Sequence, residues 1–440
     1  MSRDLTVVIV LLLLISPLHL LTQAPATQPA NDPETLIAQL SADDWKARQQ
    51  AQERLIEMGQ PVVERLKRLI RETQDEEMRS RAETALRQIE ANDRSGPTLV
   101  TLHMNNTPLS TVTRELAKQA KTEITLWPPF DHQWESAKVS INAERQPFWL
   151  VMRELCEQAS LTPNRTVGAE YAITLVRHDR STWARKPFVM HEGFLITAEE
   201  ANRSHNIDYA AQDIANSFSI QFRILADPKL RVIQRPRQIK LEEVLDEKGN
   251  SLALPSPNNW GPNVPEPWSA GWLCDVSATL KYQPDIGRRI ASFKGSASFV
   301  TMSKSDTWQI PDVLNAKDVQ HAMPLGKYTL HEVRQTQGGQ YRATILIDLT
   351  AGPVPPQNPL VSLGTLQQCI RLVDANGRGY AMGGGGGGSI NAKRLSYLIH
   401  FHPNDVIAPK LDPPAKLIWD VPVELKEILV PIQFKDLPIP

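Results

Sequence analysis

Residues 98–177 constrain the fold most, because this stretch repeats itself at an interval of 39 positions. The shift carries Val100 onto Val139, Leu102 onto Ile141, Pro108 onto Pro147 and Val112 onto Val151. It also carries Arg114, Glu115 and Leu116 onto Arg153, Glu154 and Leu155, and Gln119-Ala120 onto Gln158-Ala159. Each copy opens on a period-two run (Val100, Leu102, Met104; then Val139, Ile141, Ala143), which predicts a half-buried strand. A proline follows at a helix start, where its missing N–H breaks no helical bond. Leu109, Val112, Leu116 and Ala120 then mark one apolar helix face, and Phe148, Val151, Leu155 and Ala159 its copy. A second strand follows each helix, over 123–127 and 171–176. The expected product is one small βαββαβ domain.

That order resembles the short N-terminal domain of secretins and TonB-dependent receptors (the STN domain). The residues that carry the likeness are Val100-Thr101-Leu102 through Pro108-Leu109, and Val139-Ser140-Ile141 through Pro147-Phe148. The resemblance implies a periplasmic protein-interaction module rather than an enzyme. A bulky insert, Trp127 to Trp134, departs from the family pattern. Docking by strand addition is the expected mode, with Thr101 and Ser140 as the candidate edge residues.

The chain begins with a basic Arg3, an apolar run from Leu5 to Leu21, and small residues at Ala24-Pro25-Ala26. This reads as a signal peptide over 1–26, and the apolar run is short for a spanning helix. A polar leader follows. Residues 34–92 read as helices, with apolar faces at Trp45, Ala51, Leu55, then Val62, Val63, Leu66, Leu69, Ile70, then Met78, Ala82, Leu86, Ile89. Asp44 with Arg48 and Asp75 with Arg79 recur at an offset of 31 and resemble HEAT-type repeats, which bury a face by stacking.

From residue 187 onward nearly every readable run is a short strand, with Gly-containing turns at 246–250 and 374–378. Many of the 34 prolines fall here, as edge strands and turns require. The expectation is a β-sandwich over 187–352 and a second one, or a continuation of the first, over 360–440, with a break near 351–359. The end, Val430 to Pro440, resembles the tail of secreted proteins of the planctomycete type. Six glycines, Gly383 to Gly388, predict a mobile hairpin tip. Ser303 to Asp306 reads as a turn.

Composition narrows the function. Lys plus Arg is 48 against 49 Asp plus Glu, so no net field recruits nucleic acid. Three scattered cysteines, Cys156, Cys274 and Cys369, give neither a disulfide framework nor a zinc spacing. His400 and His402, two apart on a strand, share a face and are the candidate metal ligands. Trp260, Trp268 and Trp272 lie in a Pro- and Asn-rich stretch suited to binding a peptide or carbohydrate. No nucleophile elbow or phosphate loop occurs.

The sequence thus predicts an α+β multidomain protein: a HEAT-like helical segment, a small βαββαβ domain, then all-β sandwiches. Its expected role is non-catalytic, through protein–protein interaction in the periplasm or cell envelope. The expected partners are envelope proteins, with no cofactor, no nucleic acid and no spanning segment after signal cleavage. The alternatives are a sensor or transducer subunit of a membrane complex, and a metal-dependent hydrolase in the C-terminal β region.

Overall fold

The computed structural model describes residues 32–128, 133–166, 169–177, 183–208, 213–236, 238–254, 271–323, 326–348, 369–391, 394–403 and 411–440. The expected signal peptide, the break near 351–359, and Trp260 and Trp268 lie outside the described residues. The protein is mixed α+β, with its α-helices before residue 160 and strands predominating after it. Among the described residues no helix is long and apolar enough to cross a membrane. The chain forms two compact units, Met1–Glu90 and Ala91–Pro440.

The first unit holds α1 (Pro33–Gln39), α2 (Trp45–Met58), α3 (Val63–Glu72) and the start of α4 (Glu76–Ser95). Leu36, Leu55, Val62, Leu66, Ala82 and Ile89 form its core. The 31-residue echo is a capping device used twice. Asp44 accepts from the N–H groups of Lys46 and Ala47, and Asp75 from those of Glu77 and Met78. Each carboxylate satisfies orphan donors of a helix start. Arg48 reaches back to the Ala42 carbonyl, and Arg79 to that of Thr73. Trp45 departs from the expected apolar face: as the first residue of α2, beside its cap, it is 61% exposed.

The second unit opens with β1 (Leu99–Pro108), α5 (Leu109–Ala120), β2 (Ile124–Trp127), α6 (Gln133–Ser136), β3 (Lys138–Pro147), α7 (Phe148–Ala159), β4 (Leu161–Thr166) and β5 (Ala169–Arg177). β1 pairs antiparallel with β3, while β5 lies parallel to β2 and antiparallel to β4. The 39-residue repeat is realised as a local two-fold. Leu109 N–H donates to Ala137 O, and 39 positions on, Phe148 N–H donates to Thr98 O. Asn106 and Arg145 share a positive φ, and so do Lys121 and Ser160, which end the two helices.

This domain is fastened to the strands that follow. Trp149 packs against Trp272 with ring centroids 5.2 Å apart and the rings tilted by 32°. The Trp149 indole donates to Ala226 O, and the Trp272 indole to Ala172 O. Asp227 accepts from both the N–H and the hydroxyl of Thr98. Leu195, Leu225, Trp272 and Leu273 belong to the same apolar core as α5 and α7. Arg153, on α7, is buried; its guanidinium lies 4.0 Å from the Phe188 ring and donates to the carbonyls of Ala184 and Lys186, which pins the connecting segment.

The β region contains β6 (Phe188–His191), β7 (Phe194–Asp208), β8 (Asp213–Ala226), β9 (Val232–Gln234), β10 (Lys240–Asp246), β11 (Leu273–Leu280) and β12 (Arg289–Pro311). It continues with β13 (Val319–Met323), β14 (Gly326–Gln335), β15 (Tyr341–Asp348), β16 (Ile370–Asp374), β17 (Ala381–Asn391), β18 (Arg394–His402) and β19 (Pro414–Pro438). Three sheets arise: β11-β8-β7-β6, β13-β14-β15-β18-β17, and the shared sheet β10-β12-β19-β16. They enclose two sandwich-like cores. Phe194, Phe222, Phe293, Val430 and Phe434 lie in one; Trp308, Tyr328, Ile345, Tyr397 and Trp419 lie in the other. The second core draws residues from both sides of 352.

A second duplication, unread in the sequence, organises this region. The order β11-β8-β7-β6 matches β18-β15-β14-β13, with β17 as an added edge strand. Asp246 accepts from Lys248 N–H and Asn250 N–H; Asp374 does the same for Asn376 and Arg378. β12 and β19 pair along almost their whole length, and both strands contribute to both cores. Where the sequence predicts only short strands, β12 is one strand of 23 residues and β19 one of 25. Ser303 to Asp306, expected as a turn, lies inside β12 where it passes from one core to the other. Pro431 sits where β19 has no described partner on its second side, so its missing donor costs no ladder bond.

Candidate interaction site

Thr101 and Ser140 occupy equivalent places in the two-fold ribbon of β1 and β3. Their backbone groups are already engaged. Gln119 Oε1 accepts from Thr101 N–H at 3.0 Å, and its Nε2 donates to Thr101 O at 2.9 Å. Gln158 treats Ser140 identically, at 2.9 and 2.7 Å. Glu115 and Glu154, one helical turn earlier, receive the second amide hydrogen. The two hydroxyls also cross the ribbon: Thr101 Oγ1 accepts from Arg145 N–H and Ser140 Oγ from Asn106 N–H. The expected open edge is thus plugged at both positions. An incoming strand would have to displace a bidentate amide.

The tryptophan expectation also changes. Trp272 is 1% exposed and joins the βαββαβ domain to the strands, because an indole that finds a carbonyl partner can be buried whole.

Cys156, Cys274 and Cys369 are buried and free, and burial pushes the Cys156 thiol well above the ordinary thiol range. Among the described residues no three His, Cys, Asp or Glu side chains gather around a metal position. His402 packs its ring against Gly383, with Nδ1 3.5 Å from Pro403 O.

The glycine run is a strand, not a hairpin tip. β17 pairs with β18 from Ala381 to Asn391, with Gly384 opposite His400 and Gly386 opposite Leu398. Glycine costs conformational entropy in a strand, but the ladder bonds to β18 hold it. β17 ends its sheet, and among the described residues nothing pairs with its outer side.

The outer face of this sheet carries a cross-strand row. Arg334 of β14 stands opposite Arg342 of β15, which stands opposite His400 of β18, which stands opposite Gly384. Like charges placed directly opposite destabilise a sheet. Arg334 is relieved by Glu332 at 2.6 Å, and one end of the face is neutralised by Arg394 with Asp348. The side chains of Arg342 and the exposed His400 carry no ion pair or hydrogen bond among the described residues. Register alone creates this row, so sequence reading found only His400.

Two other polar groupings are present. Asp420 lies buried between Arg231 at 3.0 Å and Arg371 at 2.9 Å, and accepts from the Thr307 hydroxyl. Burial opposes its charge, but the Thr307 bond and the two guanidinium groups outweigh that and hold its pKa below the usual carboxylate value. A shallow cleft of about 420 Å³ crosses the outer side of β10, β12 and β19, where Ser296 and Ser298 hold the carboxylates of Glu242 and Glu427.

No protein-family model matches the chain, and comparison with curated proteins gave no match.

Proposed function

We propose that this is a non-catalytic envelope protein that works by binding another protein. The observation that supports this reading is the open strand edge of β17, whose outer backbone donors and acceptors have no described partner. An extended segment of another chain satisfies such groups by main-chain hydrogen bonds. Elsewhere the polar chemistry serves the architecture: glutamines plug β1 and β3, aspartates organise turns, and Asp420 ties two arginines.

The wider assignment rests on the sequence. The apolar Leu5–Leu21 run supports secretion across the inner membrane, with the mature chain in the periplasm or envelope. The two-fold βαββαβ arrangement supports the STN-like reading, and the repeated Asp caps and Arg back-bonds support the HEAT-like one. The two apolar cores after residue 187 support a pair of sandwiches.

The test is affinity capture with the tagged mature chain from envelope extract, alongside cell fractionation. A discrete protein retained in near-equal amount, and the chain in the periplasmic or envelope fraction, are the expected results. A chain found in the cytoplasm, or one that retains nothing beyond the control, refutes the proposal.

A further inference from the structure

The Arg334–Arg342–His400 row and the open edge meet at Gly384, and together they define what can dock there. We infer that the β17 edge receives an extended segment of a partner protein that carries acidic residues at alternate positions. This rests on the protein-interaction reading and specifies the partner's chemistry.

Charge selects the occupant. Arg342 and His400 face solvent side by side, and neither has an anion among the described residues. Their neighbours on the same face, Arg334 and Arg394, each have a carboxylate partner. The guanidinium left without a carboxylate is therefore Arg342 on the central strand, with His400 between it and β17. An acidic side chain brought in from the β17 side completes the pattern that Glu332 and Asp348 set on the other strands.

Geometry lets the charges meet. A strand added to β17 lies about two strand spacings, roughly 10 Å, from β18. On an ordinary edge strand, intervening side chains would fill that gap. Here Gly384 and Gly386 stand on the outer face between them, and a Cβ at either would meet nothing within 4 Å. A Glu on the added strand can lean across the glycines to His400. Arg342, one strand further, stands roughly 14 Å from the added strand by backbone spacing, so its guanidinium and the carboxylate meet by each reaching over His400. Exposed Leu398, opposite Gly386, gives the same segment an apolar contact. The side chains of an extended segment alternate between faces, so acidic residues two apart would line the row.

The experiment uses the full mature chain and two labelled ten-residue peptides, one alternating Thr with Glu and one alternating Thr with Gln. Fluorescence anisotropy at low and moderate salt should show the Glu peptide binding at least tenfold tighter, with the advantage shrinking as salt rises. R342Q/H400Q should erase the difference between the peptides. G386E places a carboxylate on the glycine strand in open space and should abolish Glu-peptide binding, with an unchanged circular dichroism spectrum. Equal binding of the two peptides, or a preference that survives R342Q/H400Q, overturns the inference. A dimer in sedimentation that G386E dissolves also overturns it, in favour of a second copy as occupant. If wild type and both variants capture the same protein from extract equally, the interaction reading stands and the β17 edge is not its site. If wild type captures nothing, the reading itself fails.

Discussion

Gln119→Ala tests whether the repeated glutamines act as edge plugs. The amide makes two hydrogen bonds to Thr101, at 3.0 and 2.9 Å, both partly buried. A net hydrogen bond is worth about 1 kcal/mol, so losing both costs local stability about 2 kcal/mol. At 1.4 kcal/mol per tenfold, the Thr101 amide should exchange with solvent about 30-fold faster. The two-fold supplies an internal control. The bonds from Gln158 to Ser140 have the same geometry but are solvent-exposed. Water replaces them more readily, so Gln158→Ala should raise Ser140 exchange only a few-fold, from a loss of about 0.5–1 kcal/mol. Hydrogen exchange read at single-amide resolution is the suitable assay, because a chain with several cores need not unfold in two states. Thr101 exchange within about twofold of wild type in the Gln119→Ala variant would refute the reasoning. So would equal effects at the two sites.

Three further outcomes are expected. Trp272→Ala should remove about 4 kcal/mol and uncouple the βαββαβ domain from the strands, giving two calorimetric transitions; a single unshifted transition argues against the shared core. Gly383→Ala should disturb the β17–β18 pairing, since its Cβ would stand 2.5 Å from the His402 ring, whereas Gly386→Ala should be silent; proteolysis of the 381–402 hairpin distinguishes them, and equal behaviour contradicts the packing described. Asp420→Asn should cost about 2 kcal/mol at neutral pH, discounted from a fully buried pair because both arginines are partly exposed. The Asp420 pKa is depressed in the folded chain, so its stabilisation is present above the unfolded value of 3.8 and is lost as pH falls through the folded one. Wild type should therefore lose more stability than Asp420→Asn on acidification below about pH 4, and parallel acid-unfolding curves would count against this.

Local patterns were legible in the sequence wherever neighbours in the chain are neighbours in space. The 39-residue repeat announced β1, α5, β3 and α7, and even contained the Gln119–Gln158 match whose purpose only the hydrogen bonds reveal. The β-rich C-terminal half was likewise readable. Long-range register was not. Nothing in Ser303 to Asp306 marks a strand crossing between two cores, because what holds it there is β19, more than a hundred residues away. The glycine run looks unstructured by propensity, yet β18 supplies the ladder that orders it. Trp272 stands beside a Pro- and Asn-rich stretch that suggests exposure, but Trp149 and Ala172 bury it. The Arg334–Arg342–His400 row exists only through the alignment of β14, β15 and β18, so Arg342 carried no signal of its own.

The measurement closest to the central claim is affinity capture of the mature chain from envelope extract, with the retained proteins quantified against the bait. A discrete partner in near-equal amount, which salt reduces and R342Q/H400Q weakens, is the expected result. Retention of no protein beyond the control would contradict it.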